Sequence, residues 1–333
     1  MTSQGTDLAR AAAFDLFQTQ TATQFDHMAA RLDAGMIEGA SWRLSCPIDE
    51  IKGAEALAAA FWRPLRHSFP DFERQDDIVL AGEFRDSAWV ASTGHFIGTF
   101  ERDWLGIPAN RQATYIRYGE ILKIENDRIA GGHMILDIVG VARQAGVDLV
   151  PRGLGAELLT PAPVTHDGVR HSSGPDTESR KSLLLVEAMI GGLMQYDRKT
   201  LSSMEQERFW HPDMMWYGPS GIGVTRGLKG FQTYHQKPFL DFIPDRVGGN
   251  HVARIGDGNY VASGGWPSIN ATSSGAPWIS TPIPAGKRIT MRVMDFWRRE
   301  GDLLRENWVF IDIPDVFRQF SIDVFAPLRR EER

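Results

Sequence analysis

Two aspartates in this 333-residue chain stand where strand-like alternation would surround a carboxyl group with apolar neighbours. Over 129–139, His133, Ile135, Asp137 and Val139 fall on one face of an extended segment, and Trp308, Phe310 and Asp312 repeat the arrangement. Burial disfavours the charged carboxylate and raises its pKa, which readies it as a general acid or base near neutral pH. The competing reading makes both aspartates strand-end residues that accept local backbone hydrogen bonds. His95 shares a strand face with Trp89, Ala91 and Thr93. From there it would bond a substrate carbonyl or orient the acid, unless it is a structural hydrogen-bonder. His133 is placed for a proton relay to Asp137, or is a simple substitution where its counterpart is Trp308. Glu120, with Tyr118 on its face, and Asp295 are further matched acids: pocket groups, or surface or edge members of salt bridges. Trp62, Trp89, Tyr118, Trp266 and Trp308 would wall a pocket for a flat apolar ligand, or fill the core equally well.

The elements that must position these residues occur twice. Trp42, Gly53, Pro64, Pro70, Asp71 and Gly82 meet Trp216, Gly227, Pro238, Pro244, Asp245 and Gly256, all at an offset of 174. After small gaps, Glu120, His133, Asp137 and Gln144 meet Asp295, Trp308, Asp312 and Gln319 at 175. A period this long signals duplicated domains rather than a solenoid, whose repeats run about 20–50 residues. The expected division is a first domain over 1–149, a Pro-, Gly- and Ser-rich linker over 150–179, and a second domain over 180–333.

Each copy opens with helical periodicity, as in Leu183, Val186, Ile190, Leu193 and Met194. A short helix follows Gly53 and Gly227. Strands are expected over 87–100, 114–124 and 129–139, with a hairpin tip at Glu125–Arg128. Helices followed by a strand meander make an α+β class.

Composition narrows the partners. With 42 acidic against 36 basic residues and no basic block, nucleic acid is not expected. The single cysteine, Cys46, excludes an internal disulfide, and His211, His235 and His251 lack a ligating spacing, so no metal is expected. Phosphate-binding glycine loops and a nucleophile elbow are absent, and no cofactor is expected. Without a signal-like start or a long apolar run, the chain reads as cytoplasmic, with no membrane partner.

SFPDF (68–72), GHFIGTF (94–100), GIPANRQ (106–112) and EILKIENDRIAGGHMILDIVGVARQAG (120–146) together resemble the SnoaL-like polyketide cyclases. FIPDR (242–246), TPIPAGKR (281–288) and DFWRREGDLLRENWVFIDIPDVFRQF (295–320) carry a degraded second version. The resemblance implies two tandem cone-shaped domains, each a curved, mostly antiparallel sheet wrapped on N-terminal helices around an apolar pocket. It assigns Asp137, and Asp312 in the duplicate, the role of general acid/base in a cofactor-independent lyase or isomerase reaction on a small hydrophobic carbonyl compound. Because Trp266 stands where the first copy has His95, the first copy is the expected active half. A non-catalytic binding protein or scaffold, in which the copies form an intramolecular pseudo-dimer with or without further homodimerisation, is the rival reading, and a hydrolase in the same cone is a third.

Overall fold

The computed structural model describes residues 3–21 and 25–330. It divides into two units: 1–149 with 164–173 and 325–333, and 150–163 with 174–324.

In unit 1, helices α1 (Ser3–Thr21) and α2 (Phe25–Gly35) precede strands β1 (Met36–Leu44) and β2 (Glu50–Lys52). Gly53 then turns the chain at φ 84°, a left-handed conformation that an L side chain resists. It launches a helical run of α3 (Ala54–Leu57), a π-helical turn (Ala58–Trp62) and α4 (Arg63–Ser68). The meander β3 (Glu73–Phe84), β4 (Ser87–Thr99), β5 (Ala113–Glu125) and β6 (Arg128–Leu136) completes the sheet, in the order β2-β1-β6-β5-β4-β3. Only β1 and β6 pair in parallel; the other neighbours are antiparallel. At the β5–β6 tip, Asn126 and Asp127 both adopt positive φ, as a right-twisting two-residue hairpin requires.

Unit 2 repeats the plan. Helix α6 (Asp176–Leu193), which follows α5 (Ile138–Gln144) in the chain, leads to β7 (Trp210–Tyr217) and β8 (Val224–Arg226). A second helical run follows: α7 (Gly227–Phe231), a π-helical turn (Gln232–Gln236) and α8 (Lys237–Phe242). Strands β9 (Val247–Gly248), β10 (His251–Asp257), β11 (Tyr260–Thr272), β12 (Arg288–Glu300) and β13 (Leu303–Ile311) form the sheet with β7 and β8, and α9 (Ile313–Gln319) follows. The fold is α+β in both units. Among the described residues, no helix is long and apolar enough to cross a membrane.

Two expectations need correction. The last strand of copy one stops at Leu136 rather than Val139, because the Asp137 side chain accepts a hydrogen bond from the Gly140 N–H and starts α5. The segment 150–179 does more than link. Val169 bridges Val79 beside the β3 edge of one sheet, and Ala156 bridges Val224 beside the β8 edge of the other. Covering an open edge satisfies backbone groups that would otherwise template aggregation. Residues from Phe325 likewise group with unit 1, not with the unit they follow.

The core of unit 1 is aromatic, with Phe69 stacked on Phe100 at 4.6 Å and Phe96 on Tyr118 at 4.4 Å. Trp42, fully buried, stands opposite Gly132 across the β1–β6 pair, and a Cβ at Gly132 would overlap its indole ring. A rigid ring in a packed core cannot yield cheaply. Gly132→Ala is therefore expected to destabilise unit 1 by about 1–3 kcal/mol, read as a lower urea midpoint; an unchanged midpoint would refute this packing account.

Candidate active site

Alternation along β12 and β13 sorts their side chains into two sets. Val293, Asp295 and Trp297, with Asn307, Val309 and Ile311, line a cavity of about 370 Å³ in unit 2, whereas Trp308, Phe310 and Asp312 do not. The opposite wall comes from α6 through Ile190 and Leu193, and from the second helical run through Phe231, His235, Gln236 and Phe239. His235 and Gln236 belong to the π-helical turn, whose wider i→i+5 spacing recurs at functional sites.

Asp295 is the one carboxylate in this lining. Its side chain keeps intermediate accessibility, but that opening is to the cavity, and protein surrounds it otherwise. Burial pushes its carboxyl up from 3.8 to about 7, against the opposing pull of the Asn307 amide, at 3.4 Å, and of the Arg254 guanidinium. The group is thus divided between acid and base near neutrality. Burial, aided by the charge of Arg246, holds the His235 imidazole down at about 3, so this ring is neutral where Asp295 titrates. It stacks on Trp216 at 4.0 Å. Gln236 and Trp297 are only 3% and 4% exposed, and neither the Gln236 amide nor the Trp297 N–H finds a hydrogen-bond partner among the described residues. Such groups carry a desolvation cost that a ligand can relieve.

Unit 1 has an acid at the same register. Glu120 pairs with Ser92 and Met134 across its neighbours, as Asp295 pairs with Ser263 and Val309. There a guanidinium meets the acid. Arg74 reaches Glu120 at 2.9 Å, Asp76 at 2.8 Å and Ser92 at 2.8 Å, and its guanidinium lies 3.5 Å over the Phe17 ring. Burial opposes its charge, but the two carboxylates outweigh that and lift its pKa above the ordinary value. Tyr118 donates to Asp76, closing a saturated polar cluster. At the offset of 174, Arg74 corresponds to Gly248, which lines the cavity of unit 2.

The structure places the sequence candidates as follows. Asp137 is half-buried at a helix N-cap and does not line this cavity, and Asp312 repeats the role, accepting from the Asp315 N–H at 3.3 Å and pairing with Arg292 at 2.9 Å. His133, Ile135 and Asp137 do share one parity, but it corresponds to Trp308, Phe310 and Asp312, the set that misses the cavity. His133 is held near 4, by burial first and by Arg43 second. His95 lies 3.3 Å from Asp77 and stands opposite Arg117, away from Phe96 and the helix-side cluster. Trp62 packs among Phe61, Phe72 and Phe96; Trp89 donates to the Phe84 carbonyl; Trp266 lies under Arg292; Trp308 donates to the Pro161 carbonyl. Tyr118 and Glu120 are locked in the Arg74 cluster, not on an edge. Of the sequence candidates, Asp295 alone lines this cavity, whose walls come from the second copy. His235, Gln236 and Arg254 were missed. Their signal was available in the repeat: at 174, His235 and Gln236 replace the core aromatics Phe61 and Trp62.

Two family models match the chain: SnoaL-like polyketide cyclase over 43–145 and SnoaL-like domain over 192–307, together more than half of it. Among solved structures it is similar to a candidate SnoaL-like polyketide cyclase from Jannaschia sp. CCS1, at 17% identity over 40% of this chain and 92% of that one, with TM-score 0.34. IdmH, a candidate polyketide cyclase from Streptomyces antibioticus, is 16% identical over 42% and 99%, with TM-score 0.35. TsrD from Streptomyces laurentii is 25% identical over 41% and 96%, with TM-score 0.33. No curated protein matches.

The raised carboxyl has a consequence for stability. Below pH 3.8 Asp295 is protonated in both folded and unfolded chains, so no penalty arises. Between 3.8 and about 7 the unfolded chain ionises while the folded one keeps its proton, and native stability falls as pH rises. Above 7 the loss is complete, up to about 4 kcal/mol at 1.36 kcal/mol per unit. Asp295→Asn lacks this penalty. Its stability relative to the native protein is expected to rise from pH 4 to pH 8 by that amount in urea titrations, and a difference that is flat with pH would contradict the burial assigned here.

Proposed function

Because the chain belongs to the SnoaL-like family in both of its halves, we propose that it is an acid/base enzyme working in the unit 2 cavity, where Asp295 moves a proton on a small hydrophobic carbonyl compound. One observation carries this reading: the sole carboxyl group in an apolar cavity titrates near neutral pH. In its ionised form Asp295 takes a proton from the carbon next to a carbonyl, and the electron pair moves onto the carbonyl oxygen as an enolate. The unsatisfied Gln236 amide and Trp297 N–H supply donors to that developing charge.

In a ring closure the enolate carbon attacks a second carbonyl of the same molecule. A carbon–carbon bond forms, and the resulting alkoxide takes back the proton from Asp295. Nothing is oxidised or reduced, so positioning and one proton shuttle suffice. The apolar walls favour a folded ligand conformation by excluding water from its carbon skeleton. This role passes to Asp295 from Asp137, whose carboxylate is spent on capping α5.

The test uses 2-tetralone as a probe in deuterium oxide, following exchange of its α-protons by nuclear magnetic resonance. The native protein is expected to accelerate exchange, with Asp295→Asn slower by about 100-fold or more and Asp137→Asn within about twofold of native. Full exchange activity in Asp295→Asn would end this reading. Probe binding without exchange in the native protein would favour a non-catalytic ligand carrier.

A further inference from the structure

Two guanidinium groups, Arg246 and Arg254, line the same largely apolar cavity. Burial lowers the pKa of both, that of Arg246 to about 10. Among the described residues, neither forms an ion pair with a carboxylate. Arg246 donates to the Leu193 carbonyl at 2.9 Å, where α6 ends and the helix dipole is negative, and it contacts the Met204 sulfur at 3.7 Å. Arg254 has only the Ser263 hydroxyl at 3.4 Å, and feels the charges of Glu187 and Asp295 without bonding to either.

Unit 1 provides an internal control. Its buried guanidinium, Arg74, is met by two carboxylates, a hydroxyl and an aromatic face. A partly desolvated cation is costly unless it is paired. Unit 2 retains such a cation, facing a cavity, without the pairing that unit 1 builds around its own.

We propose that the ligand of the unit 2 cavity carries a carboxylate, and that Arg254 receives it. The planar guanidinium fork matches the two oxygens of a carboxylate, and a low-dielectric surrounding strengthens the bond. One negative charge is the appropriate number, because Arg246 is committed to the end of α6 and leaves a single guanidinium to be balanced. A phosphate, at about two negative charges, would bring more than Arg254 neutralises. The substrate class is therefore an oxo acid: an apolar body along Phe231, Val309 and Ile311, a carbonyl within reach of Asp295, and a carboxylate at Arg254. The inference rests on the cavity being the working site, as proposed above, but not on proton transfer by Asp295.

The experiment compares 2-naphthoate with 2-naphthamide, matched in shape and differing in charge, on the full chain at pH 7. Binding is read by calorimetry and by quenching of tryptophan fluorescence, since Trp210, Trp216 and Trp297 line the cavity. The acid is expected to bind at least about tenfold more tightly than the amide. Arg254→Gln should bring the ratio to within about twofold with the amide still bound, which shows that the cavity still forms; Arg246→Gln should keep the ratio. Equal affinities in the native protein, survival of the preference in Arg254→Gln, its loss in Arg246→Gln alone, or no binding of either compound at millimolar concentration would each overturn the proposal. Loss of the acid preference with tetralone exchange intact sinks this inference alone. Absence of exchange with the preference intact sinks only the proton-transfer reading.

Discussion

An inward-facing carboxyl group sits at the same register of the same strand in both halves of the chain, and what meets it governs each half. In unit 1 the Arg74 guanidinium lies against Glu120 and Asp76, within an ionic and aromatic cluster. In unit 2 the matching position is Gly248, which lines the same cavity as Asp295, and among the described residues no guanidinium pairs with that acid. Burial raises both carboxyl groups; at Glu120 the Arg74 guanidinium at 2.9 Å opposes that rise, whereas Asp295 is opposed by the Asn307 amide and the unbonded charge of Arg254. One exchange of arginine for glycine therefore separates a paired acid from one that faces a cavity.

The surrounding residues follow the same division. Phe61 and Trp62 on the π-helical turn of unit 1 pack into its core, while His235 and Gln236 on the matching turn of unit 2 face the cavity. Gly132 accepts the ring of Trp42, whereas its counterpart Asn307 has a side chain that bonds Asp295, and Trp216 stacks on His235 instead. Each substitution exchanges packing for polarity at one wall of the cone. Gln236 and Trp297 leave buried polar atoms unpartnered at that wall, a cost that apolar packing would avoid.

Much of the architecture was legible because it depends on local rules applied twice. The glycine before each helical run, the Asn126–Asp127 tip and the strand alternation are short-range features, and the offset of 174 repeats them. The site was harder to read. Alternation correctly grouped His133, Ile135 and Asp137, but a sheet has two faces, and the pattern does not say which faces the helices. Asp137 carried the family motif, yet its carboxylate serves the helix that follows it. Asp295 was noticed as a matched acid and assigned no greater weight, since burial and the lack of a salt-bridge partner are not visible in one dimension.

The amino-acid order alone determined the duplication, the α+β class, the family likeness and the two parities of side chains along each strand, because each arises from neighbours a few residues apart or from identity between the copies. Tertiary structure alone decided which parity of β12 and β13 lines the unit 2 cavity, and which of the two matched acids is met by a guanidinium. Those outcomes depend on whether Arg74 or Gly248 stands across the cone from the acid, some 46 or 47 residues away in the chain, and desolvation is set by everything packed around a group rather than by the residues beside it in sequence.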